Sequence, residues 1–167
     1  RTALGFAHYG RVRGEPLSKV SPVVPTWRNA LVGMLRDNND QDSYLRHSGA
    51  EALARLVPSE LLVEAIEDKS PAVRVAVTVA LRRQKSPEVA AFLSDLDPKV
   101  VAEAARAIND EVITEALPKL AALITKPDLQ RVVAYRVLNA NYLLGKRENA
   151  EALAQYAARP DAPVPLR

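Results

Sequence analysis

One recurrence limits what this chain can fold into more than any other feature. Leu81 has a counterpart 28 residues earlier at Leu53, another 27 residues later at Ile108, and a third 30 residues beyond that at Leu138. The columns beside it recur as well. One residue before each stand Ala52, Ala80, Ala107 and Val137, and four before stand Gly49, Val77, Ala104 and Ala134. Eight before stand Leu45, Val73, Val100 and Gln130, the last departing from the apolar pattern. A unit repeated at this spacing cannot bury its apolar face alone, so neighbouring copies must stack into one core.

The clearest copy runs from Ser70 to Ser86. Val73, Ala76, Val77, Ala80 and Leu81 fall at helical spacing and form one apolar stripe. Ser70 is an N-cap candidate, and Pro71 follows at the first helical position, where a missing N–H costs nothing. The other copies open in the same way, at Asp42-Ser43, Asp97-Pro98 and Pro127-Asp128. Shorter apolar-periodic segments precede them: Trp27–Arg36, Pro58–Glu67, Pro87–Leu93 and Thr114–Ile124. Each supplies a first helix, joined to the second by a short turn.

The expected architecture is all-α, a right-handed solenoid of antiparallel helix pairs over 27–56, 58–84, 86–109 and 114–145, with a terminal helix over 147–159. Leu53, Leu81, Ile108 and Leu138 should be buried in successive layers. Residues 1–26 read as a leader: Phe6–Gly14 suits one short strand and turn, and Pro16, Pro22 and Pro25 suggest an extended linker. This leader is the tail of a preceding domain, a docking arm, or a surface-packed extension. Pro160, Pro163 and Pro165 mark residues 160–167 as a second linker.

Composition removes several classes of function. Apolar residues make up 48% of the chain but aromatics only 5%, so the core is built from Ala, Val and Leu. There is no Cys, which leaves no disulfide framework and no thiolate or haem-attachment motif. The two His, His8 and His47, are isolated, and no glycine-rich phosphate loop or grouped carboxylate pair is present. We therefore expect no catalytic residue, cofactor or metal in this chain. Asp37–Asp42 holds three acids but lacks the glycine and terminal glutamate of a calcium loop.

The net charge is +3, unevenly placed. Residues 1–36 hold six basic residues and one acid, a balance of +5, leaving 17 basic and 19 acidic residues, a balance of −2, for the rest. A nearly balanced repeat body argues against a broad nucleic-acid surface. Arg82, Arg83 and Lys85 form a basic cluster at a helix C-terminus, which either complements the helix dipole or receives an anionic partner. Asn139 and Asn141 cannot share one helix face, so one points inward and needs partners there. Asn139, Asn141 and Tyr142 are candidates for an interhelical hydrogen-bond ladder or for docking.

Two strings carry a family resemblance: Ser70-Pro-Ala-Val-Arg74-Val-Ala-Val-Thr-Val-Ala-Leu81 and Asp97-Pro-Lys-Val-Val101-Ala-Glu-Ala-Ala-Arg-Ala-Ile108. They resemble the D-P-x-V-R-x-x-A-x-x-A-L pattern of HEAT repeats, especially the short form similar to phycobilisome (PBS) lyases. The resemblance spans about residues 27–159. It implies an Asp–Arg ladder along the turns, here Asp42, Arg46, Arg74, Asp97, Asp128 and Arg131, interrupted by Val101. More narrowly, Leu81–Leu93, Asp97–Asp110 and Leu138–Gly145 followed by Glu148–Leu153 resemble the HEAT region of planctomycete and verrucomicrobial membrane-bound dehydrogenases. There an N-terminal sugar-dehydrogenase-like propeller precedes the repeats and a c-type cytochrome domain often follows. That resemblance implies a non-catalytic scaffold in an extracytoplasmic oxidoreductase, contacting neighbouring domains or a protein partner. The alternatives are a HEAT-like nucleic-acid-binding module and a lyase-like enzyme; a cytoplasmic setting stays open.

Overall fold

The structure is a computed structural model that describes residues 11–12, 15–16, 24–160 and 162. Two short strands, β1 (Arg11–Val12) and β2 (Glu15–Pro16), pair antiparallel with Arg11 opposite Pro16. The other regular elements among the described residues are helices. The helices are α1 (Val24–Asn38), α2 (Ser43–Leu56), α3 (Ser59–Leu62), α4 (Pro71–Arg83), α5 (Pro98–Asp110), α6 (Leu117–Ala121), α7 (Arg131–Leu144) and α8 (Arg147–Ala158). Short 3₁₀ segments, Val63–Glu67, Pro87–Ser94 and Ala122–Thr125, complete or replace the first helices of the second, third and fourth repeats. The remaining parts of the leader and the C-terminal linker expected from sequence lie outside the described residues.

Within each repeat the first helix packs on the second, and α2, α4, α5 and α7 pack on one another in series. This is the expected α-solenoid. The column positions explain the packing. Ala52, Ala80, Ala107 and Val137 are buried, as are Gly49, Val77, Ala104 and Ala134. Leu53, Leu81 and Ile108 have no exposed surface. Burying each contributes about 1.5–3 kcal/mol. At Gly49 the approach is closest: an added Cβ would stand 2.8 Å from Leu35 Cδ2 and from Met34 Cε.

Helix starts follow the chemistry of the preceding residue, with one correction. Asp42 caps α2, accepting from Tyr44 N and Leu45 N. Asp97 caps α5 by accepting from Lys99 N. Ser70 holds the N-cap position of α4, but its hydroxyl makes no capping bond and no other hydrogen bond. Its own N–H donates instead to the Asp68 carboxylate. Helix ends are sharp. After α4, Ser86 N–H bonds Leu81 O and Lys85 N–H bonds Arg82 O; after α5, Ile113 N–H bonds Ile108 O. These crossed bonds place Lys85 (φ +52°) and Val112 (φ +49°) in the left-handed region that glycine favours.

Three further departures from the sequence reading have physical reasons. Helix α1 begins at Val24 and takes Pro25 into its first turn, where proline is tolerated, so Pro25 is not linker. The first helices of repeats two to four are so short that tighter i→i+3 turns finish or replace them. Leu138 is only partly buried, although Val133, Val137 and Ala140 of the same helix are buried, because among the described residues no further second helix covers it.

Side chains also tie one repeat to the backbone of another. Gln84 Nε2 donates to Ala54 O and Val57 O at the end of α2, at 2.9 and 2.7 Å. Arg28 Nη1 donates to Leu61 O, and Gln130 Nε2 to Pro98 O.

Candidate functional site

Two sets of polar residues organise the surfaces of the solenoid. The first lies at the turns. Arg74, with 11% of its side chain exposed, makes a two-pronged pair with Asp95, which is 3% exposed. Arg74 Nε reaches Asp95 Oδ2 at 2.7 Å and Nη2 reaches Oδ1 at 3.0 Å, while Nη1 donates to Asp68 O. The Asp95 hydrogen bond holds the Arg74 guanidinium above its ordinary pKa, outweighing the opposing effect of burial. Arg46 pairs with Asp40 at 2.6 Å, and Arg36 with Asp68 at 2.6 Å.

The acids of the turn contacts are therefore Asp40, Asp68 and Asp95, each two residues ahead of a second helix's N-cap. Asp42 and Asp97, expected in the ladder, are occupied as caps. Asp128 sits in the left-handed region (φ +56°) with no hydrogen bond or ion pair recorded among the described residues. Arg131 bonds the Tyr135 hydroxyl at 3.0 Å and lies 5.5 Å from that ring's centroid. The structure does not bring Asp42, Arg46, Arg74, Asp97 and Asp128 into one chain. A sequence signal for the true partners existed: Asp40, Asp68 and Asp95 recur at the 27–28-residue spacing, 13 residues before Leu53, Leu81 and Ile108.

The second set is a ribbon across the C-terminal halves of the second helices, which the sequence reading missed. Arg55 donates to Glu51 at 2.6 Å, and Arg83 reaches the other oxygen of Glu51 at 2.8 Å, joining α2 to α4. Arg82 reaches Glu111 at 3.1 Å and Glu103 at 3.6 Å; Lys85 stands 3.9 Å from Glu111. Arg106 and Arg136 converge on Asp110 at 3.5 Å each, joining α5 to α7. Asn139 Nδ2 donates to Asn109 Oδ1 at 2.7 Å. The signal was columnar: Glu51 shares its repeat position with Arg106 and Arg136, and Arg55 and Arg83 share theirs with Asp110.

Charge in the ribbon is locally balanced. The Arg55 hydrogen bond, with Arg83 nearby, lowers the Glu51 pKa despite partial burial. For Asp110 burial pushes upward, but the Asn109 hydrogen bond and the Arg136 and Arg82 charges together bring it below its ordinary value. Arg82, Arg83 and Lys85, candidates for an anionic partner, each face an acid of a neighbouring helix. The positive excess of residues 1–36 is also reduced, because Arg28 pairs with Glu64 and Arg36 with Asp68.

The asparagine candidates separate cleanly. Asn141 is the inward one, 2% exposed. Its Nδ2 donates to Ala121 O at 3.0 Å and Val137 O at 2.9 Å, and its Oδ1 accepts from Asn149 Nδ2 at 2.9 Å. Buried and satisfied, Asn141 joins α6, α7 and α8 and is not a partner contact. It lies in a cleft of about 360 Å³ lined also by Leu144, Lys146, Glu148 and Ala152. Tyr142, by contrast, is 73% exposed. A second cleft of about 320 Å³ between α1 and α3 is flanked by the Arg28–Glu64 and Arg36–Asp68 pairs. His47 is exposed on α2. Among the described residues no group of three or more His, Cys, Asp or Glu is placed to hold a metal ion, and no helix is long and apolar enough to cross a membrane.

Residues 28–97, from α1 to the cap of α5, match the family model of HEAT repeats. Over this stretch the chain is similar to HEAT repeats. No curated protein and no solved structure shows a significant match to the chain. HEAT repeats are generally non-catalytic helical scaffolds that mediate protein interactions. The helical solenoid extends beyond the matched stretch, since α5 and α7 continue the same packing of second helices.

Proposed function

We propose that this helical solenoid is a non-catalytic spacer in a larger extracytoplasmic oxidoreductase, holding a dehydrogenase-like propeller and an electron-accepting cytochrome in fixed relation. The observation that carries it is the closed pairing of polar side chains. The grouped Arg, Asp, Glu and buried Asn residues are committed to one another or to backbone across helix junctions. That arrangement stiffens a body, and the grouped side chains described here are engaged with one another rather than poised as acid, base or nucleophile. The residues resembling the dehydrogenase-associated HEAT region, notably Asp97–Asp110 and Leu138–Leu153, support the wider setting. The nucleic-acid reading loses support, because Arg82, Arg83 and Lys85 face acids. On this reading the chain itself uses no cofactor, and its partners are modules of the same polypeptide or a separate protein.

The test uses the purified chain and its native source. Elemental analysis and sugar-oxidation assays of the chain are expected to give neither stoichiometric metal nor turnover. Affinity capture from the source is expected to retain a propeller- or cytochrome-bearing protein. Turnover by the chain alone would overturn the spacer reading.

A further inference from the structure

Helix α4 is apolar all round, yet one of its sides stays open. Its polar residues are Arg74, Thr78, Arg82 and Arg83. Arg74 is locked to Asp95, and Thr78 is buried with its hydroxyl bonded to Arg74 O. Val73, Ala76, Val77, Ala80 and Leu81 form the buried side. The remaining positions at helical spacing are Ala72, Val75, Val79 and Arg82, each only partly buried. A helix that is apolar all round is ordinarily covered all round. The same stripe is Tyr44, His47, Glu51 and Ala54 on α2, and Lys99, Ala102, Arg106 and Asn109 on α5. The apolar character is therefore local to α4.

This open side is lateral and lies inside the array. Helices α2 and α5 flank α4 on both hands. A solenoid grows along its axis, so repeats added at either end would leave the side of α4 uncovered.

The ribbon of ion pairs rims this stripe and presents its cations outward. It holds six of them (Arg55, Arg82, Arg83, Lys85, Arg106 and Arg136) against four acids (Glu51, Glu103, Asp110 and Glu111), a balance of +2. The acids lie deeper. Glu51 and Glu103 side chains are 19% and 17% exposed, whereas Arg55, Lys85 and Arg106 are 57%, 68% and 51% exposed. An approaching surface meets the positive ends of the pairs first. Tyr44, 83% exposed, stands on the α2 side.

We propose that the open side of α4, rimmed by the ribbon, docks an acidic amphipathic helix of a separate protein. Its apolar stripe lies on Val75, Val79 and Ala102, and its carboxylates meet Arg55, Lys85 and Arg106. An apolar centre with an arginine-rich rim is the usual layout of a protein interface, and complementary charge sets which partner is accepted. The residues of this chain outside the structure do not supply that charge: they carry Arg1, Arg13, Lys19 and Arg167 and a single acid, Asp161. The proposal rests on the scaffold reading and deepens it by naming one surface and the kind of segment it takes.

The first probe is a labelled synthetic helical peptide with Leu along one face and Glu elsewhere, titrated with the full chain and followed by fluorescence anisotropy. Saturable binding is expected, weakening as salt is raised. Val79→Asp and Arg106→Glu should each weaken it tenfold or more. Lys119→Glu, on first helix α6, should leave it unchanged, and the same peptide with Lys for Glu should bind at least tenfold more weakly. Arg106 is exposed, so its variant reads the rim even where thermal melts show that Val79→Asp disturbs the fold. No binding up to millimolar chain, equal binding of the Lys peptide, or indifference to Val79 and Arg106 would overturn the proposal. The second probe places the photoreactive residue p-benzoylphenylalanine at position 79 of the full-length protein in its source. Its adduct should map to an acidic amphipathic segment of another protein. An adduct within the same polypeptide, or none, would overturn the proposal. If both probes fail while the chain still shows no turnover, this docking face falls and the scaffold reading stands.

Discussion

Helices α4 and α7 hold the same place in the repeat, yet they meet different surroundings. Helix α4 is closed on both sides: Val73, Val77, Thr78 and Leu81 are fully buried, and its arginine is locked to the aspartate of the following repeat. Helix α7 is closed on one side only, with Tyr135 and Val132 open and Arg131 folded onto its own tyrosine. The difference teaches that burial here belongs to the junction between repeats rather than to the sequence position within one. A leucine in the central column is core only when a neighbour arrives to cover it.

The largest expected effect is at the charged contact. Asp95→Ala leaves the Arg74 guanidinium largely buried and without its counter-charge, and should cost about 3–5 kcal/mol. Arg131→Ala on the open face should change stability by no more than about 0.5 kcal/mol. Urea unfolding of both variants checks the pair, and equal losses would break the comparison. The same contrast applies to the central column. Leu81→Ala should cost about 2–5 kcal/mol, and Leu138→Ala about 1–2 kcal/mol, since less apolar area leaves water there.

Glycines sharpen the contrast at the first junction. Gly49→Ala pushes a methyl group into Leu35 and Met34 and should cost about 1–3 kcal/mol. Gly33→Ala meets nothing within 4 Å and should raise the melting temperature, by up to about 1 kcal/mol of helix propensity. Val112→Gly removes a β-branched residue from the left-handed region at the α5 turn. It should stabilise by about 0.5–1 kcal/mol, the relief of strain being partly offset by glycine's unfolded-state entropy.

The smallest effect is in acid. Glu51 and Asp110 have folded pKa values below their ordinary 4.5 and 3.8, so they bind fewer protons folded than unfolded. Their contribution is present above those ordinary values and fades as pH falls through the lower folded ones. Glu51→Gln should flatten the loss of stability below about pH 4.5. An acid limb unchanged by Glu51→Gln would remove that contribution from the α2–α4 junction.

The repeat spacing alone made the solenoid legible, because apolar columns at a fixed period have one way to be buried. The matching helix-start signals also located the caps at Asp42 and Asp97. What stayed hidden depends on reach rather than period. An arginine side chain spans enough distance to pass its nearest acid, so Arg74 meets Asp95 and not Asp97. The ribbon through Glu51, Arg83, Asp110 and Arg136 is assembled from three junctions and appears only once the helices stand side by side. The inward turn of Asn141 was half legible: two asparagines on one helix required an inward member, but only the geometry of α8 says which.

The amide of Gln84 finishes the carbonyl end of α2 although it lies in the next repeat. Arg28 likewise bonds Leu61 O across repeats, and Gln130 bonds Pro98 O in the first turn of α5. A segment whose backbone is completed by its neighbour gains little by ordering alone. In a nearest-neighbour description of folding, such bonds belong to the coupling energy rather than to the intrinsic stability of a unit. Strong coupling between weak units suppresses partly ordered arrays, so the chain gains or loses its order as a whole rather than fraying one repeat at a time.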